Sequence, residues 1–286
     1  MKFVSYNIQF GIGLDGKFDL ARIAASLAGA DVIALQEVSR GFHRNGFADV
    51  VEGMAQLFPD YYRVFGAPCD VFLDAAVVGG RPVERRFQFG NMILSRWPIL
   101  ATRTLLLPRS RTYGKLNLQR GATEAVIDTP GGPLRVYSVH LDHVSPDERI
   151  DQIRYLKERV LAFTREGGSV TGAHEFGFAD PPLPEDFVVL GDFNMQPESP
   201  EYIAMTGIRD AYYGRTPRLE FPLDALDRAG RLDASSYSWM DPRDHARRMH
   251  LDYGFVSAGL AHRLKDAFVD TDASGSDHFP LWVEIE

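Results

Sequence analysis

The chain of 286 residues is 45% hydrophobic and 24% charged, a composition typical of a soluble globular protein with a sizeable core. Its net charge of −8 argues against a protein that holds nucleic acid through a broad basic surface, although phosphate can still be bound through metal ions. The single cysteine, Cys69, excludes an intrachain disulfide and a cysteine-based metal cluster.

The sequence contains no recognisable targeting or membrane-spanning segment. No apolar run approaches the roughly 20 residues that a membrane-spanning helix needs, and the N-terminus lacks the regions of a signal peptide. These observations predict a cytoplasmic protein. No stretch has the composition of a linker, so we expect residues 1–286 to form a single domain.

Strands and helices alternate in the first 65 residues. Asp19 is a suitable N-cap and Gly29 a suitable stop for the first helix. Before that helix, the pattern predicts a strand over 2–8 with Asn7 at its end. After it come a strand over 31–36 ending on Glu37, a helix near 47–58 and a strand around 61–65.

The region from residue 68 to residue 88 has only a weak apolar pattern. Gly79, Gly80 and Pro82 interrupt it, which predicts a long loop. After it come three strands, and a glycine turn leads into a fourth, PLRVYSVHLDH. The turns between these strands are short, which implies that neighbouring strands are antiparallel. The three strands are predicted over 89–96, 99–107 and 118–129.

The clearest helix begins after Ser145. A serine followed three residues later by Glu148 forms a capping box, and Pro146 suits the first helical position. The residues that follow, 167–186, are loop by composition, and a loop of this length is often functional or mobile. The predicted buried stripe of the helix comprises Ile150, Ile153, Leu156, Val160 and Phe163.

Two polar side chains follow a short buried strand in the segment DFVVLGDFNMQP. The strand over 187–190 stops at Gly191, and Asp192 and Asn194 come next. Because they are two residues apart, they project to the same side wherever the chain stays extended. They can bind a metal or position a water, or they can form an Asx-type turn that only caps the strand end. These residues alone leave both alternatives open.

The remaining elements complete a strand-rich pattern with amphipathic helices. Two packed sheets with helices on their outer faces would bury all the apolar surfaces, so we expect a four-layer α/β/β/α sandwich. The last predicted elements are helices near 200–205 and 224–228, a segment at 236–239, and strands over 251–256 and 279–285.

Polar residues capable of chemistry recur where the apolar strands end. Each alone has a structural explanation: Asn7 can cap a turn, and His140 can be a hydrogen-bonded core histidine. Asp252 is harder to explain, because a carboxylate among apolar strand residues needs a partner to offset its desolvation. Together they indicate one site: Asn7, Glu37, His140 with Asp142, Asp192 with Asn194, Asp252, and Asp277 with His278.

Six of these segments, in this order, resemble a known family: SYNIQFG, LQEV, YSVHLDH, GDFNMQP, LDYGFVS and GSDHFPLW. They are similar to the endonuclease/exonuclease/phosphatase superfamily, the DNase I-like metal-dependent phosphoesterases that include AP endonucleases, neutral sphingomyelinases and inositol polyphosphate 5-phosphatases. The match extends from residue 3 to residue 284. The resemblance implies a DNase I-like sandwich with its site at one edge of the two sheets.

The resemblance also implies a metal site. Glu37 would be the main carboxylate ligand of Mg²⁺ or Mn²⁺, with Asn7 beside it and Asp277 contributing. The chain offers hard oxygen ligands at these positions, which suits both ions.

Catalytic roles follow from the same resemblance. Asp192 would activate or hold the attacking water, and Asn194 would orient that water or the phosphate. His278 would face the phosphoryl oxygens, held by Asp252 as a carboxylate–histidine pair. His140 would bind a non-bridging oxygen or assist the leaving group.

The chain departs from the family pattern at His250, in HLDY, where many relatives have arginine, and at Gly254, which replaces a usual aliphatic residue. His250 can simply pack or hydrogen-bond. The histidine of YSVHLDH resembles the DNase I, sphingomyelinase and phosphatase branches more than the AP endonucleases.

Several side chains are candidates for contact with the substrate. Arg120 resembles a recurrent family arginine, and we expect it to contact phosphate. Tyr237 and Trp239 can stack on a base or a headgroup, or pack in the core. The other candidates, which can equally be solvated, are Arg109, Arg111, Lys115, Arg247 and Arg248.

The sequence therefore predicts a Mg²⁺- or Mn²⁺-dependent phosphoesterase that hydrolyses a phosphodiester or phosphomonoester, acting on a small-molecule or lipid-derived substrate. The alternative enzyme is an endo- or exonuclease acting on DNA or RNA. A catalytically silent phosphate-binding module is the alternative of another class. Glu37, Asp192, Asn194 and His278 argue against that module, because binding alone would not need all four.

Overall fold

The computed structural model describes residues 1–286 and contains fourteen strands and five α-helices. In chain order these are β1 (Lys2–Asn7), α1 (Leu20–Ser26), β2 (Val32–Arg40), α2 (Val50–Leu57), β3 (Tyr62–Val78), β4 (Arg81–Ser95), β5 (Ile99–Leu106), β6 (Gly121–Thr129), β7 (Gly132–His140), α3 (Pro146–Glu166), β8 (Phe187–Asp192), α4 (Pro200–Thr206), β9 (Leu223–Asp224), α5 (Ala225–Arg228), β10 (Trp239–Asp241), β11 (Asp244–Met249), β12 (Asp252–Val256), β13 (Leu264–Val269) and β14 (Leu281–Ile285).

Twelve of the strands form two six-stranded mixed sheets. The first has the order β13-β14-β1-β2-β4-β3, the second has the order β5-β6-β7-β8-β12-β9, and β10 pairs with β11 as a separate hairpin. Each large sheet contains one parallel pair, β1 with β2 and β7 with β8, and the other neighbours are antiparallel. Helices α1 and α3 lie in the two connections between parallel strands, because a parallel pair needs a long crossover.

Three buried clusters define four layers. The central cluster joins residues of both sheets, such as Phe3 and Ile93 of the first with Val136 and Val188 of the second. A second cluster packs the outer face of the second sheet against α3 and α4, and a third packs the first sheet against α1 and α2. The predicted four-layer α/β/β/α sandwich is therefore confirmed.

Two predicted helix starts are confirmed. The Asp19 carboxylate accepts from the N–H groups of Ala21 and Arg22, and the Ser145 hydroxyl accepts from the N–H of Glu148. These side chains satisfy backbone donors that have no partner in the first helical turn. None of the helices is both long and apolar enough to cross a membrane.

The prediction of a loop over 68–88 was wrong. Strands β3 and β4 continue through this region as a long two-stranded ribbon, joined at Gly79 and Gly80, whose φ values of 59° and 77° suit a two-residue hairpin turn. Every residue from 70 to 86 is exposed. The ribbon has no buried face, so the apolar alternation that marks a strand is weak there.

Other boundaries also differ from the predictions. Strand β2 does not end at Glu37 but continues to Arg40, with a register shift between Leu35 and Val38 where it pairs with β4. Residues 236–238 precede a short hairpin, β10–β11, that begins at Trp239 and that the sequence did not indicate, and β13 was also missed. Residues 167–186 lack strands, as predicted, and contain one 3₁₀ turn, Ala173–Phe176.

Candidate active site

The ends of several strands meet at one edge of the sandwich. On the second sheet, Asp192 is the register partner of both His140 and Asp252, so these three side chains start from adjacent backbone positions. On the first sheet, Asn7 ends β1 and pairs with Gln36, next to Glu37. A cleft of about 540 Å³ opens between these strand ends.

Asp192 lies at the centre of the cluster and is 1% exposed. Its Oδ2 accepts from Asn7 Nδ2 at 2.9 Å and lies 3.3 Å from His140 Nε2 and 3.7 Å from His278 Nε2. Its Oδ1 accepts from the backbone N–H of Asn194 at 2.9 Å. Burial raises the pKa of Asp192, while His278 opposes that rise. One oxygen thus forms the Asx-type turn, and the other faces Asn7, His140 and His278.

His278 is paired with Asp252. The His278 Nδ1–H donates to Asp252 Oδ2 at 2.8 Å, and Ser238 Oγ donates to the same oxygen at 2.7 Å. Burial by itself lowers the pKa of His278, but the nearby carboxylates of Asp252 and Asp192 outweigh it and raise the pKa to about 10. His278 is therefore an imidazolium at neutral pH, with its Nε2–H on the side of Asp192.

Glu37 lies on the cleft wall with a half-buried side chain. Its φ of 56° is in the left-handed region that non-glycine residues rarely adopt, at the irregularity in β2. No protein group donates a hydrogen bond to its carboxylate. Burial raises its pKa to about 7, with Asp277 adding to the rise and His278 opposing it.

Backbone strain is concentrated at this cleft. Only six non-glycine residues in the chain have positive φ, and four of them line the cleft. Such conformations cost about 1 to 3 kcal/mol each and persist where the surrounding structure enforces them. The four residues are Gln9, Phe10, Glu37 and Asn194.

Three side chains donate to Asp277, one of which is Ser276, whose Oγ donates to Oδ1 at 3.3 Å. Gln9 Nε2 donates to Asp277 Oδ2 at 2.8 Å and Trp239 Nε1 donates to the same oxygen at 3.0 Å. Burial raises the pKa of Asp277, against the effect of His278. Asn7 Oδ1 already accepts from the N–H of Gln9 at 3.1 Å. Asn7 and Asp277, the two residues expected beside Glu37, therefore both have protein partners.

Two groups of residues can be compared as cation sites. Asp192, Asp252 and His278 have potential ligand atoms within 4.8 Å of one another. However, His278 Nδ1 and Asp252 Oδ2 already bond each other, and Ser238 donates to the same Asp252 oxygen. Glu37, by contrast, is a carboxylate with no hydrogen-bond donor. A cation at Glu37 would favour its charged form, so the residues present fit a divalent ion there better.

Arg120 is 4% exposed and faces two histidines. Its Nη1 donates to His140 Nε2 at 3.0 Å and its Nη2 donates to His143 Nδ1 at 2.9 Å. Burial, then the positive charge of Arg120, lowers the pKa of His140 well below its usual value, so His140 is neutral. Arg120 lines the cleft together with both histidines.

Of the other substrate candidates, Trp239 and Arg247 line the cleft. Three of the rest make structural contacts elsewhere, and Arg111 and Lys115 are exposed. Arg109 donates to Asn117, Arg248 lies over the ring of Tyr237, and Tyr237 packs edge-on against Phe279. His250 is buried outside the cleft with its ring against Tyr253, and Asp142 accepts from the N–H groups of Val144 and Ser145.

Sequence reasoning missed several residues of the site. Ser238 anchors Asp252, Gln9 holds Asp277, and His143 contacts Arg120. Gln9 and His143 lie inside segments that carried the signal, SYNIQFG and YSVHLDH, whereas nothing in the sequence marks Ser238. Further cleft-lining residues that were not expected are Phe10, Arg44, Phe89, Leu116, Leu118 and Met249.

The chain is similar to proteins of a known family. The family model described as "Endonuclease/Exonuclease/phosphatase family" matches residues 4–278. A search of curated proteins found no match.

Solved structures share the fold at low sequence identity. An endonuclease/exonuclease/phosphatase from Beutenbergia cavernae is 20% identical, with a TM-score of 0.64 over 99% of this chain and 70% of that one. A mannosyl-6-phosphatase from Bacteroides thetaiotaomicron is 17% identical, with a TM-score of 0.64 over 100% of this chain and 99% of that one. A 3′-5′ exonuclease from Neisseria meningitidis is 18% identical, with a TM-score of 0.60 over the whole of both chains.

Proposed function

The chain belongs to the endonuclease/exonuclease/phosphatase family, and from that premise we propose that it is a divalent-metal-dependent phosphoesterase acting on a small-molecule or lipid-derived phosphate ester. The observation that carries the proposal is the position of Asp192. This buried carboxylate lies on the cleft wall between His140 and His278 and accepts from Asn7. A carboxylate held in this way is suited to bind and deprotonate a water molecule.

Asp192 acts as the general base in this proposal. A water proton passes to its carboxylate, the water oxygen bonds to phosphorus, and the phosphorus–oxygen bond to the leaving group breaks. Burial raises the pKa of Asp192, which makes it a stronger base than an exposed aspartate. Asn194 is fixed by its Nδ2 donating to Leu141 O at 3.2 Å; its side-chain oxygen can accept from the water, and the second Nδ2 proton can donate to the phosphate.

His278 stabilises the negative charge of the phosphoryl group. Its Nδ1–H is bound by Asp252, so the Nε2–H is the proton that can face a phosphoryl oxygen. Because Asp252 and Asp192 raise its pKa, the ring stays positively charged at neutral pH. A preorganised positive donor of this kind lowers the barrier where charge develops.

Arg120 is proposed as a phosphate contact and His140 as a group that binds a non-bridging oxygen or assists the leaving group. Arg120 donates to His140 Nε2, which leaves that nitrogen as an acceptor. His140 can therefore donate from Nε2 to substrate only if Arg120 turns toward the phosphate. The two proposed roles are thus linked through one hydrogen bond.

Glu37 is proposed to hold Mg²⁺ or Mn²⁺, with Asn7 and Asp277 beside it. The absence of a protein donor to its carboxylate and its position on the cleft wall support this assignment. When bound, the cation would neutralise phosphoryl charge and help to orient the ester. The oxygen donors suit Mg²⁺ and Mn²⁺ better than ions that prefer thiolates.

The size of the cleft supports a small substrate. Its volume of about 540 Å³ falls in the range of small-molecule sites, and the net charge of −8 gives no general attraction for extended nucleic acid. Similarity to a mannosyl-6-phosphatase also supports a small-molecule substrate. Similarity to a 3′-5′ exonuclease makes a nuclease the alternative.

We also propose that residues 1–286 act as one catalytic domain in the cytoplasm. The one-domain proposal is supported by the origin of the site residues, because Asn7 and Glu37 come from the first sheet and Asp192 and Asp252 from the second. The cytoplasmic proposal is supported only by composition, since the chain has a single cysteine.

A screen of phosphate esters with Mg²⁺ or Mn²⁺ tests the proposal. The panel contains sugar phosphates, nucleotides, phospholipid headgroup esters and supercoiled plasmid, each also measured with EDTA. Hydrolysis of a small ester that EDTA abolishes is the expected result. Plasmid nicking at physiological salt without small-ester hydrolysis would favour the nuclease, and no hydrolysis of any ester would contradict the proposal.

A further inference from the structure

Arg120 holds two histidines at once. Its Nη1 lies 3.0 Å from His140 Nε2 and its Nη2 lies 2.9 Å from His143 Nδ1. A guanidinium group has only donors, so both histidine nitrogens must accept. The hydrogen bond therefore decides which nitrogen of each neutral ring carries the proton.

This constraint fixes the tautomer of His143. Its Nδ1 accepts from Arg120, so the proton of the neutral ring lies on Nε2. Burial, followed by the positive charge of Arg120, lowers the pKa of His143, which favours the neutral ring at physiological pH. His143 thus has a single, defined N–H donor.

The loop that carries His143 is well anchored. The N–H of Asp142 donates to Gln152 Oε1 at 2.8 Å, and the Asp142 carboxylate accepts from the N–H groups of Val144 and Ser145 at 2.9 Å and 2.6 Å. These bonds lie on both sides of His143. The ring is therefore held from its backbone as well as from Nδ1.

No protein group accepts a hydrogen bond from His143 Nε2. The side chain is 43% exposed and lines the same cleft as Asp192, Asn194 and Glu37. A fixed ring with one unused donor, at the edge of a site for a negatively charged ester, has the chemistry of a substrate contact.

We propose that His143 contacts the substrate and donates a hydrogen bond from Nε2 to an oxygen of the phosphate ester. The inference rests on the proposed phosphoesterase function. The bond from Arg120 Nη2 to His143 Nδ1 keeps the Nε2 proton available, and it is separate from the Nη1 bond to His140 that breaks if Nη1 turns toward the phosphate. The alternative is that His143 only supports Arg120 through Nδ1.

Two substitutions separate these roles. In His143→Asn the side-chain oxygen can replace Nδ1 as the acceptor for Arg120, but no donor reaches the position of Nε2. In His143→Gln the longer amide can supply a donor near the position of Nε2, while the acceptor for Arg120 is lost. The measurement is kcat/KM for p-nitrophenyl phosphate and bis-p-nitrophenyl phosphate.

For the better substrate, we expect His143→Asn to lower kcat/KM about tenfold or more and His143→Gln to stay within about threefold of wild type. The opposite order would assign His143 to Arg120 alone and overturn the inference. Unchanged activity in both variants, or an equal loss in both, would also overturn it.

A second readout does not require turnover. Long-range ¹H–¹⁵N spectra of the protein labelled at histidine should show His143 protonated at Nε2 and not at Nδ1, and titration with inorganic phosphate should shift the Nε2 signal. Protonation at Nδ1, or no response to phosphate, would contradict the inference. If the wild type hydrolyses no ester but both spectral results hold, the proposed function fails while the oxyanion contact stands.

Discussion

The imidazole of His278 donates from Nδ1 to Asp252 Oδ2 at 2.8 Å, across 26 positions of sequence. Asp252 is fully buried, and His278 is 6% exposed. A buried aspartate and a buried histidine are each costly alone, but as a pair each offsets the desolvation of the other. The pair fixes both the charge and the direction of the ring that faces Asp192.

Removing the charge of Asp252 should shift the pH dependence of the reaction. In Asp252→Asn the pKa of His278 loses its largest upward influence, so the ring deprotonates at lower pH than in the wild type, where the pKa is about 10. We expect kcat/KM at pH 7.5 to fall by about one to three orders of magnitude. A pH–rate profile should show the alkaline loss at lower pH in the variant, and an unmoved alkaline limb would contradict the role of Asp252.

Ser238 should be important for stability as well as activity. Its hydroxyl donates to Asp252 Oδ2 and accepts from the N–H groups of Leu251 and Asp252 at 2.9 Å. Ser238→Ala would leave the buried N–H groups of Leu251 and Asp252 without this acceptor, and Asp252 Oδ2 with only His278 as a donor, which costs about 1 to 3 kcal/mol in the free energy of unfolding. Urea denaturation checks this, with the exposed Ser235→Ala as control, and equal stabilities of the two variants would contradict it.

Asp224 does not line the cleft, and its burial gives a prediction about the pH dependence of stability. Burial raises its pKa from 3.8 to about 6, although Tyr202 donates to it and it caps α5. The folded state therefore binds the proton more tightly than the unfolded state, and stability is lost as pH rises from about 4 to about 6.

Asp224→Asn keeps a side-chain oxygen that can cap α5, and it removes the buried carboxylate whose ionisation destabilises the folded state. The variant should be more stable than the wild type at pH 7.5 by roughly 2 to 3 kcal/mol, and the difference should close near pH 4. Urea denaturation at both pH values measures it. A variant that is less stable at pH 7.5, or a difference that does not change with pH, would contradict the account.

The sequence predicted the elements that neighbouring residues determine, such as helix caps and apolar strands. Asp19 and Ser145 cap the helices that they precede, and the apolar strands lead to the polar residues that gather at one edge. The strand-rich pattern with amphipathic helices predicted the four-layer sandwich, and the order of six short motifs added the family. Long-range partners such as Gln9 for Asp277 could not be predicted, because they depend on how distant strands align.

Errors occurred where a strand lacks a buried face or changes conformation. The ribbon over 70–86 is exposed on both faces, so its sequence has no alternation to detect. Glu37 lies at an irregularity with positive φ, and the polar residue was mistaken for the end of β2. Ser238 was missed because a single buried serine has no sequence signature.

The exposed ribbon should be dispensable for folding. Residues 75–84 are exposed, so replacing them with Asn-Gly, a dipeptide that favours a tight hairpin turn, between the register partners Asp74 and Arg85 should leave the core intact. We expect the urea midpoint to be unchanged and kcat/KM for p-nitrophenyl esters to stay within about twofold. A large loss of stability would show that the ribbon contacts the core, and a selective loss of activity would show that it contacts substrate.

The central claim is that Asp192 activates the water that attacks a phosphate ester. The most direct test compares hydrolysis of bis-p-nitrophenyl phosphate by wild type, Asp192→Asn and the matched buried control Asp224→Asn, with Mg²⁺ or Mn²⁺ present. The account predicts a loss of about 10² to 10⁴ in kcat/KM for Asp192→Asn and wild-type values for Asp224→Asn. Hydrolysis by the wild type that Asp192→Asn leaves unchanged would contradict it.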